Sequence, residues 1–311
     1  MNKATVVVCT YNRAKYLAGL IRCLRQQSCP IPFEIVVVDN SSTDNTHYVL
    51  NALGREGGPV MRAVLEDRRG IVYARNRAIE ESLGSDCIAF IDDDELPAAG
   101  WLEAAVDAIG REGADCVGGE IRVSVPEPVR PSWLGKELLG FLGEVSHSRQ
   151  PFWVKEKSTP VWSGNIAYRT SLFTGGLRFD ERYNRSNGVG GGEDLIMFNN
   201  LLERGARIRY RPDMVIDHLV EDWKLRRKYF LSLHYTAGRK AGAWEKDEYE
   251  KVFCGVPPFM ISQAIRQLGR AFEMMIRRRP GALRQAMNGT YALGMIEGRF
   301  KRWRERHERA G

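Results

Sequence analysis

The first 125 residues alternate short apolar runs with longer amphipathic stretches. The apolar runs are rich in β-branched residues, which favours buried strands, whereas the stretches between them repeat apolar positions every three or four residues, which favours helices. The predicted strands are residues 5–9, 34–38, 60–65, 87–91 and 116–117. The predicted helices are residues 15–26, 43–53, 71–83 and 102–112. This alternation is typical of an α/β fold with a largely parallel sheet.

Polar residues follow each of the first four predicted strands, at residues 10–13, 39–41, 66–70 and 92–95. The carboxyl ends of parallel strands lie at the same edge of a sheet, and ligands of open α/β sheets bind in the crevice beyond that edge. The pattern therefore predicts a binding site at this edge.

Two later segments have a different pattern. Residues 126–159 are interrupted by Pro and Trp, which favours an irregular insertion over the sheet. A glycine-rich loop at 187–192 precedes Glu193, Asp194 and a predicted helix that ends at Leu202. Glycines before two acids suggest a mobile lid beside a working carboxylate, although loop glycines also serve as simple turns.

Four consecutive acids, residues 92–95, follow the strand at 87–91. Carboxylates this close repel one another, and a bound cation relieves the repulsion. Oxygen ligands of this kind favour Mg²⁺ or Mn²⁺, held by one or two carboxylates together with phosphate oxygens of a substrate. The alternative is an acid-rich start of a helix near Pro97, stabilised by the helix dipole.

Two further residues are candidates at the same edge. Asp39 ends a predicted strand, where a carboxylate accepts hydrogen bonds from a base or ribose, or serves as an ordinary helix N-cap. Residues 41–43 are N-cap candidates for the next helix. Arg75, in the helix at 71–83, faces either phosphates and a base or solvent.

The ordered set of motifs resembles glycosyltransferase family 2 on the GT-A fold, a Rossmann-like sheet flanked by helices. The match extends over about residues 4–220. It consists of the runs Val6-Val-Val-Cys-Thr-Tyr-Asn-Arg13, Val36-Val-Val-Asp-Asn-Ser-Ser-Thr-Asp44, Gly70 with Ala74-Arg75-Asn76, Phe90-Ile-Asp-Asp-Asp94, Gly164-Asn165 and Gly192-Glu-Asp194.

The resemblance implies inverting, metal-dependent transfer of a sugar from a nucleotide diphosphate donor to a hydroxyl acceptor. Asp194 matches the general base of the family. Asp92 to Asp94 match its D-x-D element, with Asp93 expected near the ribose or the metal and Asp94 as the principal metal ligand. His218 falls where relatives place a further ligand to Mg²⁺ or Mn²⁺, unless it is structural. The residues expected around the donor, including two arginines that could stabilise the leaving diphosphate, are Thr10, Tyr11, Arg13, Asp39, Arg75, Asp92, Asp93, Arg226 and Arg227.

The acceptor is expected to be a glycan or a lipid-linked glycan, as in polysaccharide biosynthesis, and the donor is expected to be a UDP-sugar. The residues assigned to the acceptor side are Trp162, Gly164, Asn165 and Glu193. Trp162 would stack on a sugar ring, although tryptophans more often lie in cores. A sugar-phosphate nucleotidyltransferase would carry a Gly-rich basic loop at residues 10–13, and a non-catalytic nucleotide-sugar-binding protein would not need Asp194.

The net charge of +7 is concentrated at the C-terminal end. Residues 220–311 carry 20 Lys and Arg against 10 Asp and Glu. Two basic amphipathic helices are predicted there, from residue 256 and over 283–300. They fit an anionic membrane surface or, alternatively, a hairpin packed on the catalytic domain or on a second subunit of a homodimer. No nucleic-acid-binding motif is present, which argues against a nucleic acid partner.

The six cysteines form no C-x-x-C pair, which favours buried thiols in a reducing compartment over metal ligands. The N-terminal pattern does not fit a signal peptide, and no apolar run reaches 18 residues. We therefore expect a cytoplasmic protein, free or peripheral on the inner face of the cytoplasmic membrane. The predicted domains are a catalytic domain at 1–220, with a nucleotide-sugar half at 1–125 and an acceptor half at 126–220, and a basic helical tail at 221–311.

Overall fold

The computed structural model describes residues 1–125, 129–184, 192–244, 249 and 251–308. The chain divides into two compact units. The first unit comprises Met1–Glu127 and Gly135–Val220, and the second comprises Pro128–Leu134 and Glu221–Gly311. The predicted glycine-rich lid lies outside the described residues except for Gly192.

The first half of the first unit is a parallel sheet with helices between its strands. The strands are β1 (Ala4–Thr10), β2 (Phe33–Asp39), β3 (Met61–Leu65) and β4 (Cys87–Asp92). The helices are α1 (Ala14–Arg25), α2 (Thr46–Leu53) and α3 (Ile71–Glu81). The spatial order is β3-β2-β1-β4, with all neighbours parallel. The predicted strands and helices of this half are confirmed, with boundaries that differ by up to three residues.

The second half of this unit adds strands of mixed direction. Its elements are β5 (Glu95–Pro97), α4 (Trp101–Gly110), β6 (Cys116–Ser124), β7 (Phe152–Val154), β8 (Asn165–Arg169), α5 (Ser171–Thr174), α6 (Glu193–Glu203) and β9 (Ile208–Leu219). β8 lies antiparallel between β4 and β6, and β9 runs parallel to β6 and antiparallel to β5 and β7. The predicted insertion therefore contributes β7 to the sheet. It also contains a 3₁₀ helix at Lys136–Leu142.

The core of the first unit forms because its central strands are apolar on both faces. All seven residues of β1 are buried, and the helices close the sheet with one apolar face each. In α1 that face consists of Leu17, Leu20, Ile21 and Leu24, at helical spacing. All six cysteines are free, and Cys9, Cys87 and Cys116 are buried as predicted, whereas the other three are partly exposed.

Two local predictions are wrong. The helix expected near Pro97 begins only at Trp101, because Glu95–Pro97 pairs with β9 as β5. The N-cap expected at residues 41–43 is also incorrect, since α2 begins at Thr46 and its cap, Asn45, makes no side-chain hydrogen bond. In both cases the polar residues make contacts at the edge of the sheet instead: Glu95 pairs with β9, and Ser41 and Ser42 form hydrogen bonds with neighbouring loops.

The described part of the second unit is helical. It contains α7 (Arg227–Trp244), α8 (Pro258–Ile276) and α9 (Ala282–Glu308), of which α7 was not predicted. Glycines bring α7 and α9 into close contact: a Cβ at Gly294 or Gly298 would overlap the backbone of α7. Among the described helices, none is long and apolar enough to cross a membrane.

Candidate active site

The loops after β1 and β2 are joined at the carboxyl edge of the sheet. Asn12 and Ser41 adopt left-handed backbone conformations, with φ of 54° and 58°. The side-chain oxygen of Asn12 accepts a hydrogen bond from the Thr43 backbone amide at 2.7 Å, and the Asn12 backbone amide donates to Ser42 Oγ at 2.9 Å. Strained conformations of this kind are concentrated at functional sites, and Asn tolerates them well. The polar residues that follow β1 and β2 therefore converge as predicted.

The loop after β4 lies against the end of β1. Thr10 Oγ1 donates to Asp93 Oδ2 at 2.7 Å. The Arg13 guanidinium lies 4.0 Å from Asp93 Oδ1 and 3.9 Å from Asp94 Oδ2. Burial raises the pKa of Asp93, the Thr10 hydrogen bond opposes this shift, and the neighbouring carboxylate of Asp94 adds to it, so that the pKa is about 7. This part of the edge thus concentrates carboxylates and places the Arg13 guanidinium beside them.

Asp94 and His218 are brought together by the pairing of β5 with β9. Glu95 and His218 are register partners, and the Leu219 amide donates to the Asp94 carbonyl at 2.8 Å. As a result, His218 Nε2 lies 3.7 Å from Asp94 Oδ2. No cluster of three or more His, Cys, Asp or Glu side chains suited to a metal occurs in the part of the chain that the structure describes. Among the described residues, Asp94 and His218 therefore form a pair and not a larger cluster, and their predicted role as metal ligands stays a prediction.

Glu95 is a buried acid whose role the sequence did not reveal. Its Oε2 accepts the Asp92 amide at 2.9 Å, and burial and the carboxylate of Asp92 raise its pKa well above the usual range. A Cβ on Gly164 would lie 2.6 Å from Glu95 Oε1 and 3.1 Å from Asp92 Oδ2. Glycine at position 164 therefore lets β8 approach the acids, and its predicted contact with an acceptor stays a prediction.

Arg75 connects the acids after β4 with the start of α6. Its Nη1 lies 2.9 Å from Glu193 Oε1, and its Nη2 lies 3.6 Å from Asp92 Oδ1. Arg75 and Glu193 are only 4% and 1% exposed, and Phe179 lies against the guanidinium. Burial disfavours the charge on Arg75, but the surrounding carboxylates outweigh that effect and raise its pKa. In this arrangement neither side chain is open to a ligand, so their predicted donor and acceptor contacts stay predictions.

Asp194 lies next to this ion pair, in the first turn of α6. It is partly exposed, and its Oδ1 accepts the amide of Leu195 at 3.0 Å. Burial raises the pKa of Asp194, and the positive charge of Arg75 opposes the shift. A carboxylate with a raised pKa at the rim of a site is suited to accept a proton.

The end of β2 contributes two buried polar residues. Asp39 is 6% exposed, and its Oδ1 accepts the Ser42 amide at 3.0 Å. Asn40, which was not assigned a role from the sequence, donates to the carbonyls of Glu66 and Arg68. Asn40 thereby holds the loop after β3 against the loop after β2, and its position directly after a buried strand was the available signal.

The remaining predicted residues are spread between surface and core. Tyr11 is 41% exposed at the edge, where Arg69 stacks on its ring. Trp162 is partly buried against the core. Arg226 and Arg227 belong to the second unit, where Arg227 lies over the ring of Trp133. The contacts predicted between these residues and a donor or an acceptor stay predictions.

Asn165 has a clear structural engagement. The side chain is 1% exposed, and its Oδ1 accepts from Trp101 Nε1 at 2.8 Å. Its Nδ2 donates to the carbonyls of Glu120 and Met214, both at 2.9 Å. Asn165 therefore ties three strands to α4, and its predicted contact with an acceptor would require this network to open.

Two glycan-related proteins match this chain in sequence. The chain is 26% identical over 237 residues to the succinoglycan biosynthesis protein ExoM of Rhizobium meliloti, and this match covers 76% of the chain and 72% of ExoM. It is 31% identical to the glycosyltransferase AglE of Haloferax volcanii, over 39% of this chain and 40% of AglE. The chain therefore matches less than half of the length of AglE.

A solved structure shows the same fold. The mannosyltransferase PcManGT from Pyrobaculum calidifontis, in complex with GDP-Man and Mn²⁺, superimposes with a TM-score of 0.56 at 19% identity, over 92% of this chain and 73% of that protein. The architecture is thus the GT-A fold. The family model for glycosyl transferase family 2 matches residues 5–176, which favours the predicted glycosyltransferase over the nucleotidyltransferase and binding-protein alternatives. Because that match spans more than half of the chain, this protein belongs to glycosyl transferase family 2 and is a glycosyltransferase.

Proposed function

We propose that this enzyme transfers a sugar from a nucleotide diphosphate donor to a hydroxyl acceptor with inversion at the anomeric carbon. The observation that carries the proposal is the convergence of Asp92, Asp94 and Glu193-Asp194 at one edge of the sheet, through contacts of Arg75, Arg13 and His218. Donor-binding and proton-accepting groups are thereby held in one unit. We further propose that residues 1–220 form the catalytic domain.

Asp94 and His218 are the proposed protein ligands of Mg²⁺ or Mn²⁺. Their 3.7 Å separation suits one ion bound to both, because metal bonds to carboxylate oxygen and imidazole nitrogen are each roughly 2 Å long. The small number of protein ligands also suits an ion that is completed by phosphate oxygens. When bound, the ion would neutralise charge on the diphosphate. The Mn²⁺ in the PcManGT complex supports this choice by analogy.

Asp194 is the proposed general base. As the acceptor oxygen bonds to the anomeric carbon, the bond from that carbon to the diphosphate breaks, and the hydroxyl proton passes to the Asp194 carboxylate. A hydroxyl group has a pKa far above 7, so a positioned base is needed as bonding develops. A single displacement from the face opposite the leaving group inverts the anomeric configuration.

The donor is proposed to lie along the ends of β1 and β2. Asp39 would accept hydrogen bonds from the base or ribose, and Tyr11 offers an exposed ring at the same edge. Arg13 lies beside Asp94 and would face the diphosphate. Arg226 and Arg227 are further candidates for stabilising the negative charge of the leaving diphosphate. A UDP-sugar is the proposed donor, and a GDP-sugar is the second choice, since PcManGT binds GDP-Man.

The acceptor is proposed to be a growing glycan, free or lipid-linked. The likeness to a protein named for succinoglycan biosynthesis supports a polysaccharide product. Such acceptors would place the enzyme at the cytoplasmic face of a membrane, which we propose as its location.

The test measures release of nucleoside diphosphate from a panel of UDP- and GDP-sugars with Mn²⁺, with water taking the place of the acceptor hydroxyl. Asp194→Asn should abolish turnover of the preferred donor while leaving its binding within about twofold. The matched control is Glu203→Gln at the exposed far end of α6, which should retain full activity. Turnover by Asp194→Asn near the wild-type rate would remove Asp194 from the role of base.

A further inference from the structure

The second unit exposes a row of large apolar side chains along α8. This apolar strip consists of Ile261, Ile265, Phe272, Met275 and Ile276, which are 42% to 66% exposed. Their spacing places them on one side of the helix. Contiguous exposed apolar surface of this kind marks a site of interaction more often than a chance feature.

The apolar strip adjoins the side of α8 that packs within the unit. Met260, Ala264 and Ala271 are buried, at 8%, 2% and 2% exposure. Next to them, Leu268 lies against Gly289 of α9, where an added Cβ would meet its side chain at 2.7 Å. The apolar surface of α8 is therefore wider than its contact with α9, and the five side chains of the apolar strip stay exposed beside that contact.

The surroundings of the apolar strip are strongly basic. Arg266 and Arg270 are exposed on α8, and residues 277–279 add three arginines directly after it. Glu273 is the single acid of α8, and it pairs with Arg277 at 3.1 Å. Residues 255–311 carry 12 Lys and Arg against 4 Asp and Glu. Whatever covers the apolar strip must therefore accept apolar side chains and supply negative charge.

We propose that the apolar strip of α8 docks into the headgroup region of an anionic bilayer, with the helix parallel to the membrane plane. A second copy of the chain would bring an equally basic surface against this one, and like charges repel. Nucleic acid supplies negative charge but no apolar layer. A bilayer with acidic headgroups supplies both at the required depth. The proposal does not depend on the donor site, because the apolar strip lies wholly in the second unit.

The experiment measures co-sedimentation of the full chain with vesicles of phosphatidylcholine alone and with one quarter phosphatidylglycerol. Ile265→Ser/Phe272→Ser removes the two most exposed side chains of the middle of the apolar strip, and Arg266→Gln/Arg270→Gln removes two charges from the polar side of the same helix. Because all four residues are exposed, the fold should tolerate both changes. Tyr48→Ser is the matched control, since it removes an aromatic side chain that is 76% exposed in the first unit.

We expect binding to the anionic vesicles only, weakened about tenfold or more by each double substitution, unchanged by Tyr48→Ser and reduced by salt. Equal binding by the Ile265→Ser/Phe272→Ser protein, or no binding to anionic vesicles, would overturn the proposal. A dimer in sedimentation velocity that this same variant dissociates would also overturn it, in favour of a second copy. Vesicle binding requires no donor, so a failure here is distinguishable from a failure of the proposed function.

Discussion

The buried ion pair between Arg75 and Glu193 is expected to contribute strongly to the stability of the first unit. Arg75→Met keeps most of the apolar stem but leaves Glu193, which is 1% exposed, without its cation. Removing one partner of a buried ion pair costs about 3–5 kcal/mol. Loss of the contact with Phe179 adds about 1 kcal/mol, and the N-terminal dipole of α6 offsets about as much. The expected loss is therefore about 3–5 kcal/mol.

The matched control is Arg77→Met on the same helix. Arg77 pairs with Glu81 at 2.8 Å, but the two side chains are 39% and 24% exposed. Exposed pairs of this spacing contribute about 0.5 kcal/mol. The comparison therefore separates the effect of burial from the effect of losing an arginine from α3.

The assay is native-state hydrogen exchange of the amides in β1 and β4, which reports the opening free energy of the first unit independently of the second. Arg75→Met should lower that free energy several-fold more than Arg77→Met. Adding Glu193→Gln to Arg75→Met should recover at least half of the loss, because the unpaired buried charge is then removed. A difference of less than 1 kcal/mol between the two single variants would refute the reasoning from burial.

Two further predictions concern the helical unit and the base. Gly294→Ala should destabilise the packing of α7 on α9 by about 1–3 kcal/mol, because its Cβ would overlap the carbonyl oxygen of Tyr235. Gly269→Ala has open space around it and should stabilise α8 by about 0.5–1 kcal/mol. Thermal unfolding that ranks the two variants the other way would contradict this packing. At saturating Mn²⁺, the rate of donor turnover should fall as the pH falls through the raised pKa of Asp194, because only the ionised carboxylate accepts a proton. The midpoint of this fall should therefore lie above pH 3.8. A rate that stays constant to below this pH would be inconsistent with Asp194 as the general base.

The parallel half of the sheet was predictable because local pattern and tertiary environment agree there. A strand such as β1 is apolar on both faces, and the helices beside it show clear apolar faces. The polar residues at the strand ends were predictable for the same reason, since topology alone places Thr10 and the acid run at one edge. The contact of Thr10 with Asp93 is a direct consequence.

Long-range pairings account for what the sequence did not reveal. β5 is only three residues long and forms because β9 pairs with it, so its acidic first residue suggested a helix start instead. The role of Arg75 depends on Glu193, which is 118 residues away along the chain. No local periodicity distinguishes an arginine that will be buried against a distant acid from one on a solvated helix face. α7 was missed because its glycines face α9 and weaken its apolar pattern.

The most direct test of the central claim is calorimetric binding of UDP and GDP to the protein with Mn²⁺ and with a chelator. One nucleotide is expected to bind only when Mn²⁺ is present. Asp94→Asn should remove this binding, and Asp213→Asn, which changes an exposed acid of the same unit, should preserve it. Binding of equal affinity in the presence of the chelator, or undiminished binding by Asp94→Asn, would contradict the claim that this edge of the sheet holds a nucleotide diphosphate through a divalent cation.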